Sequence, residues 1–174
     1  MKSKIKNIIV ASLFTAIICI CSVLSFNLFG ISFSLSLVGI FISSMLQATV
    51  YSLLSTSAYV IIGLIGVPIF ANFNCGISAI IGPSGGFIMA YPLISVLIPL
   101  LNKYFGDSYI KNITYCSVSL IVCYLMGSLW YSNVYSCSFI QAATVCIFPF
   151  IIPDVVKIFL SCYIAKNIKK HIKK

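Results

Sequence analysis

Residues 144–165 read TVCIFPFIIPDVVKIFLSCYIA, a mostly apolar run that contains two ionised side chains, Asp154 and Lys157. A membrane-spanning helix needs about 20 such residues, and an ion near its middle costs roughly 2.5–3.5 kcal/mol. A spacing of three residues places both ions on one helix face, about one turn apart. Because intramembrane ions usually line a cavity or a pathway, the run predicts a spanning helix whose ion pair serves a function.

The ion pair also has a plainer interpretation, in which the two charges neutralise each other and only fix helix packing. A buried ion pair is seldom more stable than apolar residues of similar volume, which favours the functional interpretation. Pro153 directly precedes Asp154, and a proline inside a helix breaks the backbone hydrogen-bond ladder. We therefore expect freed backbone groups beside the pair, where a ligand could use them.

The rest of the chain is as apolar as this run. Of its 174 residues, 61% are hydrophobic and 7% are charged, whereas soluble domains carry about 25% charged residues. Asp107 and Asp154 are the two acidic residues, eleven lysines supply the cations, and the net charge is +9. So little polar surface excludes a water-soluble globule. The composition predicts an all-α integral membrane protein with one transmembrane domain over residues 1–174.

Six apolar segments lie between the charged, proline-rich and glycine-rich breaks. We predict transmembrane helices near residues 5–24, 33–46, 51–69, 86–101, 113–130 and 144–165. The first segment also resembles a signal peptide, but five further spans favour a retained helix. Positively charged loops stay in the cytoplasm, and a cytoplasmic N-terminus puts every lysine except Lys157 on that side. Both termini are therefore expected in the cytoplasm of a multi-pass plasma-membrane protein, with uncharged outer segments at 25–32, 70–85 and 131–143.

Several functional classes are disfavoured by residue types that the chain lacks. The lysines form no basic face with interleaved aromatic residues, which argues against nucleic-acid binding. No Gly-Lys-Ser/Thr follows the glycines at 82–86, which excludes an ATP-binding P-loop. The single histidine, His171, lies in the basic tail, so Ser84 lacks a base for hydrolysis. Eight cysteines without a C-x-x-C spacing predict no zinc site, and no metal or cofactor is expected.

Two polar features lie in the predicted outer segment at 70–85. Residues 70–76 read FANFNCG and residues 82–86 read GPSGG, and glycines of this kind permit sharp turns and close backbone approach. The stretch is either an ordinary loop between two helices or part of a binding site. Cys75 and Cys137 both fall in outer segments, so a disulfide between them is an open alternative to two free thiols.

Three sequence blocks together resemble the BioY family, the biotin-binding S components of energy-coupling factor vitamin transporters. They are YVIIGLIGVPIF at 59–70, GPSGGF at 82–87 and PDVVK at 153–157, in the order and spacing of the family. The resemblance implies a six-helix S-component-like bundle with a vitamin pocket open to the outside. It also implies partners: biotin as ligand, membrane lipid, a transmembrane coupling subunit and two ATPase subunits.

The same resemblance implies roles for individual residues. The binding Asn of the family falls on Asn74, and the Asp and Lys of its Gly-Asp-x-x-Lys motif fall on Asp154 and Lys157. A Thr-Leu-Gln segment of the family reads SLS at 34–36 here, so Ser36 supplies a hydroxyl where a pocket amide is usual. The motif that packs on the coupling subunit falls on Ser12-x-x-x-Ala16, a small-x-x-x-small pattern that allows close helix approach. Candidates for the apolar wall are Phe70, Phe73, Phe87 and Tyr91.

The hydrogen-bond donors and acceptors of biotin are complementary to those of these residues. Its ureido ring has two N–H groups that Asp154 can accept, and a carbonyl to which Asn74 and Lys157 can donate. In an alternative pose, Lys157 meets the ligand carboxylate instead. The sequence thus predicts a substrate-capture subunit rather than an enzyme. Two alternatives stay open: an S component for another vitamin, and a structural membrane protein whose Asp154–Lys157 pair only locks helix packing.

Overall fold

A computed structural model describes residues 2–28 and 31–172 of the chain. Phe29 and Gly30 of the predicted outer segment 25–32, and Lys173 and Lys174 of the predicted cytoplasmic lysines, lie outside the described residues. Eight α-helices and one hairpin follow one another in this part of the chain. In chain order they are α1 (Lys2–Val23), β1 (Ser25–Leu28), β2 (Ile31–Ser34), α2 (Ser36–Leu46), α3 (Thr49–Leu64), α4 (Gly76–Ile81), α5 (Gly85–Phe105), α6 (Tyr109–Tyr135), α7 (Phe139–Ile147) and α8 (Ile151–Ile172), with a short 3-10 turn at Ala71–Phe73 before α4.

The β-hairpin corrects the expectation of a helix that starts at residue 33, within a chain that is otherwise mainly helical. β1 and β2 pair antiparallel, with Ser25 opposite Ser34. Their sequences, SFNL and ISFS, alternate polar and apolar residues, and this period of two suits a strand rather than a helix. Helix α2 therefore begins only at Ser36.

The predicted helix at 144–165 is also wrong in one respect, because two helices occupy it. α7 ends at Ile147, α8 begins at Ile151, and their axes differ by 53°. Pro149 lies in this break, where a proline lacks the backbone N–H that would continue the helical hydrogen bonds. Pro153, which we expected to break the ladder, instead lies in the first turn of α8, where helical amides have no intrahelical partner in any case.

The hydrophobic core is built around α2, in which ten residues from Ser36 to Met45 are buried. Ile18 of α1 and Ile94 and Ile98 of α5 are fully buried in the same core. The outer faces of the long helices instead expose large apolar side chains, such as Ile9, Ile121 and Phe159. Extensive exposed apolar surface is typical of a protein whose solvent is lipid.

Fewer helices are long enough to span a membrane than the six that the sequence predicts. Within the described residues, α1, α5 and α6 are long and apolar enough to cross a membrane, and the bent pair α7–α8 makes up to four. α2 and α3 are shorter apolar helices of 11 and 16 residues, which correspond to roughly 16 and 24 Å at 1.5 Å per residue. The architecture is therefore that of a helical membrane protein with at least three helices of spanning length.

Helices α5 and α6 approach each other closely near the hairpin end of the bundle. A Cβ on Gly86 would lie 2.7 Å from the carbonyl oxygen of Met126 and would overlap Trp130. The Trp130 indole donates a hydrogen bond of 3.0 Å to the carbonyl oxygen of Gly82, just before α5. The glycines at 82–86 thus allow α5 to start in direct contact with α6. The hydrogen bond from Trp130 holds the segment that precedes α5 against α6.

Candidate ligand-binding cavity

A cavity of about 510 Å³ lies among the hairpin, the 70–85 loop and helices α1, α2, α3, α5, α6, α7 and α8. This volume is within the range of about 300–1,000 Å³ that small-molecule sites occupy. Its wall is mainly apolar and aromatic, with a few polar groups pointing inward. The lining residues with polar or aromatic side chains are Ser22, Phe33, Ser34, Tyr59, Phe70, Asn72, Asn74, Ser78, Ser84, Phe87, Tyr91, Cys123, Tyr124, Cys146, Phe150, Asp154 and Lys157.

The ion pair predicted from the sequence forms part of this wall. Lys157 Nζ lies 2.8 Å from Asp154 Oδ1, and both side chains are about 5% exposed. Apart from this ion pair, Oδ1 has no further hydrogen-bond partner among the described residues. The other carboxylate oxygen, Oδ2, accepts a hydrogen bond of 2.6 Å from the Tyr124 hydroxyl. The cavity therefore contains a buried carboxylate oxygen with unused acceptor capacity beside a buried cation.

The start of α8 contributes to the electrostatics of the pair. Asp154 lies in the first turn of α8, and its amide donates to the carbonyl of Phe150 at 2.9 Å. A helix N-terminus carries a partial positive charge that stabilises a nearby carboxylate by about 0.3–1 kcal/mol, and more when it is partly buried. The break at Pro149 thus places a favourable end of a helix beside Asp154.

Phe33 of the hairpin covers the lysine from the other side. Lys157 Nζ lies 3.5 Å from the centroid of the Phe33 ring, a cation–π geometry. Phe33 in turn stacks on Phe150 with centroids 5.8 Å apart. The ammonium is therefore held between a carboxylate and an aromatic face, with both rings in the cavity wall.

Asn74 reaches the cavity from a tight turn that follows α3. The Phe70 amide donates to the Asn74 carbonyl at 3.0 Å, and the Asn74 amide donates to that of Ala71 at 3.3 Å. Asn72 and Phe73 within the turn have positive φ values of 58° and 57°, which are uncommon for residues other than glycine. The Asn72 amide donates to Ser25 Oγ at 2.6 Å, which ties the turn to β1.

The predicted site residues are only partly brought together. Asn74, Tyr91, Asp154 and Lys157 line the cavity, as do Phe70 and Phe87. Phe73 does not line it and is 67% exposed. Ser36 lies behind the wall, where its hydroxyl donates to Tyr91 at 3.1 Å and bonds Ser34 at 2.7 Å.

Sequence reasoning missed Phe33 and Tyr124, the two aromatic residues that contact the ion pair. Phe33 was assigned to a transmembrane helix, although the alternation in ISFS already favours a strand. Tyr124 is 30 residues from Asp154 in the chain, and no spacing rule connects positions on two different helices. The hydroxyl pair of Ser22 and Tyr59, 2.6 Å apart at the wall, was also not anticipated.

Ser12 and Ala16 lie on a different part of the surface. They share a shallow, mostly apolar groove with Thr15, Cys19, Ile20, Ala58 and Ile62, along α1 and α3. Both residues are exposed. The two residues predicted to contact a coupling subunit therefore lie on the outside of the bundle, away from the cavity.

The part of the chain that the structure describes contains neither a disulfide bond nor a cluster of metal-ligating side chains. All eight cysteines, which lie within this part, are free thiols, and these include Cys75 and Cys137. Residues 2–28 and 31–172 contain no group of three or more His, Cys, Asp or Glu side chains that could hold a metal ion.

Comparisons with known proteins agree on one family. The BioY family matches residues 1–174. A probable biotin transporter BioY of Pyrococcus horikoshii is 28% identical over 95% of this chain and 98% of its own length. The biotin transporter BioY of Thermotoga maritima is 29% identical over 95% of this chain and 96% of its own length.

A solved structure has the same fold. The crystal structure of the S-component for biotin from an ECF-type ABC transporter superposes with a TM-score of 0.90. The match covers 97% of this chain and 93% of that chain, at 22% sequence identity. Because the family match extends over the whole chain, this protein belongs to the BioY family.

Proposed function

We propose that this protein captures biotin as the substrate-binding subunit of an energy-coupling factor vitamin transporter. The observation that carries the proposal is the buried Asp154 Oδ1, which has unused acceptor capacity beside the Lys157 ammonium in a cavity of about 510 Å³. The Lys157 ammonium meets one side of this oxygen, and the remaining acceptor capacity can receive a hydrogen bond from a ligand N–H group. The names of the relatives point to transport and not to catalysis.

Biotin offers the groups that this cavity lacks. One ureido N–H would donate to Asp154 Oδ1, and the ureido carbonyl would accept from Lys157 and Asn74. The thioether ring would lie against the aromatic wall near Tyr91. Ser36 would act indirectly, by holding the Tyr91 hydroxyl. In the alternative pose, Lys157 would meet the ligand carboxylate.

The direct test is a biotin titration of the purified protein in detergent or nanodiscs. We expect saturable binding at a single site, with thiamin and riboflavin unable to compete. Displacement of biotin by either of these vitamins would indicate an S component of broader or different specificity. Absence of biotin binding by folded protein would overturn the proposal.

For the membrane topology we propose six spans: α1, α2, α3, α5, α6 and the bent pair α7–α8. The short α2 is acceptable as a span because ten of its residues are buried within the protein. Both termini then lie in the cytoplasm of a multi-pass plasma-membrane protein. Positive charge near the ends of α1 and α8 supports this orientation, and the cavity then opens to the outside.

We propose that the groove at Ser12 and Ala16 receives the transmembrane coupling subunit of a module that also contains two ATPase subunits. Small residues four apart on an exposed helix face let a second helix approach closely.

Ser12→Leu with Ala16→Leu is expected to leave biotin binding unchanged and to lower uptake with the coupling module by roughly tenfold. Uptake of labelled biotin by cells checks this. Leu13→Phe, an exposed α1 position outside the groove, is the control, and normal uptake by the Ser12/Ala16 variant would contradict the assignment.

Replacing Phe33 is expected to weaken biotin binding moderately. Phe33→Leu keeps apolar cover over Lys157 but removes a cation–π contact of 3.5 Å, which is worth up to about 2 kcal/mol in a desolvated site. We expect roughly a tenfold loss of affinity in calorimetric titration. Phe14→Leu is the matched control, because Phe14 is buried in a separate small cluster with Val38 and Ile42. Equal affinities of the two variants would show that Phe33 does not support the lysine.

A further inference from the structure

Tyr124 connects α6 to the carboxylate of α8. Its side chain lines the cavity and is 8% exposed, and its hydroxyl donates to Asp154 Oδ2 at 2.6 Å. This distance is typical of a hydrogen bond from a hydroxyl to an ionised carboxylate, which is about twice as strong as a neutral one. The contact therefore restrains the rotation of the Asp154 side chain.

The two oxygens of Asp154 differ in what they can still accept. Oδ2 holds the Tyr124 hydrogen bond. Oδ1 forms the ion pair with Lys157 Nζ at 2.8 Å and has no further hydrogen-bond partner among the described residues. The two oxygens of a carboxylate are chemically equivalent, so what a free side chain can change is the plane of the carboxylate relative to the lysine and the cavity. The Tyr124 hydrogen bond to one oxygen fixes this plane, so the other oxygen stays beside the cation and keeps acceptor capacity for a ligand.

We infer that Tyr124 is a positioning residue, which fixes Asp154 so that Oδ1 and the Lys157 ammonium together present one acceptor beside one donor to the ligand. This pattern fits an N–H group next to a carbonyl, as in a cyclic urea or lactam. The inference rests on the proposed function for the identity of the ligand. The orientation of Asp154 itself is a property of the unliganded protein.

Infrared spectroscopy tests the orientation without any ligand. The chain has two acidic side chains, Asp107 and Asp154, so a difference spectrum against Asp154→Asn isolates the carboxylate stretch of Asp154. Tyr124→Phe is expected to shift this band, because it removes the hydroxyl and keeps the ring. Tyr115→Phe is the matched control, since this buried α6 tyrosine donates to the carbonyl of Gly106 instead. An Asp154 band that is the same in both variants would overturn the inference.

Binding measurements test the consequence for the ligand. Tyr124→Phe is expected to weaken biotin binding roughly tenfold, while Tyr115→Phe binds like the wild type. Discrimination against a biotin analogue with methylated ureido nitrogens should also fall in Tyr124→Phe. A merely structural role would weaken both ligands equally, and that result would count against positioning.

The outcomes separate this inference from the proposed function. If the wild-type protein does not bind biotin, the proposed function fails, and the infrared comparison still decides whether Tyr124 orients Asp154. If the wild type binds biotin and Tyr124→Phe binds it equally well, only the role of Tyr124 is overturned. Thermal midpoints of both variants within a few degrees of the wild type would show that the fold is intact.

Discussion

Lys157→Ala is expected to weaken biotin binding roughly a hundredfold or more. The substitution removes a donor to the ligand and leaves the buried Asp154 carboxylate without the cation that lies 2.8 Å away. Truncating one member of a buried, hydrogen-bonded charge pair costs about 2–5 kcal/mol in binding, and each 1.4 kcal/mol is a factor of ten. Calorimetric titration of the purified variant measures the loss. Lys166→Ala, an exposed lysine further along α8, is the control, and wild-type affinity in Lys157→Ala would contradict the assigned role.

A second substitution separates ligand binding from helix packing. If the ion pair only locks the bundle, replacing both members by apolar residues should prevent folding. Apolar replacement of a buried ion pair is often neutral or stabilising, so Asp154→Leu with Lys157→Met is expected to fold and to lose biotin binding. An unfolded double variant would favour the structural interpretation of the pair.

Gly86→Val is expected to destabilise the fold by about 3 kcal/mol, the upper part of the usual range for overpacking. A side chain at Gly86 would meet the backbone of α6 at Met126 as well as Trp130, so relief requires the two helices to separate. For a chain of this size, the loss corresponds to a decrease of about 10 °C in the unfolding midpoint. A thiol-reactive dye can follow unfolding, because Cys116 and Cys123 are free and buried.

Met89→Val is the matched control for Gly86→Val. Met89 is in the same helix but is 46% exposed, so this variant reports the helix propensity of valine without the clash. Its unfolding midpoint is expected within about 2 °C of the wild type, since the propensity difference is a few tenths of a kcal/mol. Equal midpoints for Gly86→Val and Met89→Val would mean that α5 and α6 need not be in close contact.

Composition and apolar run length were sufficient to predict a helical membrane protein, because lipid as a solvent demands long apolar helices. They were not sufficient at the hairpin and at the break between α7 and α8. Phe33 belongs to a segment short enough to suit either a strand or a helix end. At the break, two prolines lie in one apolar run, and only the three-dimensional course shows that Pro149 ends a helix while Pro153 lies in the next one.

Some residues of the candidate site could be predicted from the sequence, and others depend on how the helices pack. Asp154 and Lys157 could be predicted as a pair because their spacing is local and their charges are rare in this chain. Asn74 came from a family motif, and it does line the cavity. Tyr124 could not be predicted, since its contact with Asp154 depends on how α6 and α8 pack. Phe73 is exposed and does not line the cavity, a position that its sequence context does not indicate.

The break at Pro149 also contributes to the stability of the buried Asp154 carboxylate. Since α8 starts at Ile151, its first backbone amides supply a permanent dipole beside the Asp154 carboxylate. That dipole needs no counter-charge and does not depend on salt at the membrane surface. The helix dipole therefore adds to the stabilisation that Lys157 gives Asp154.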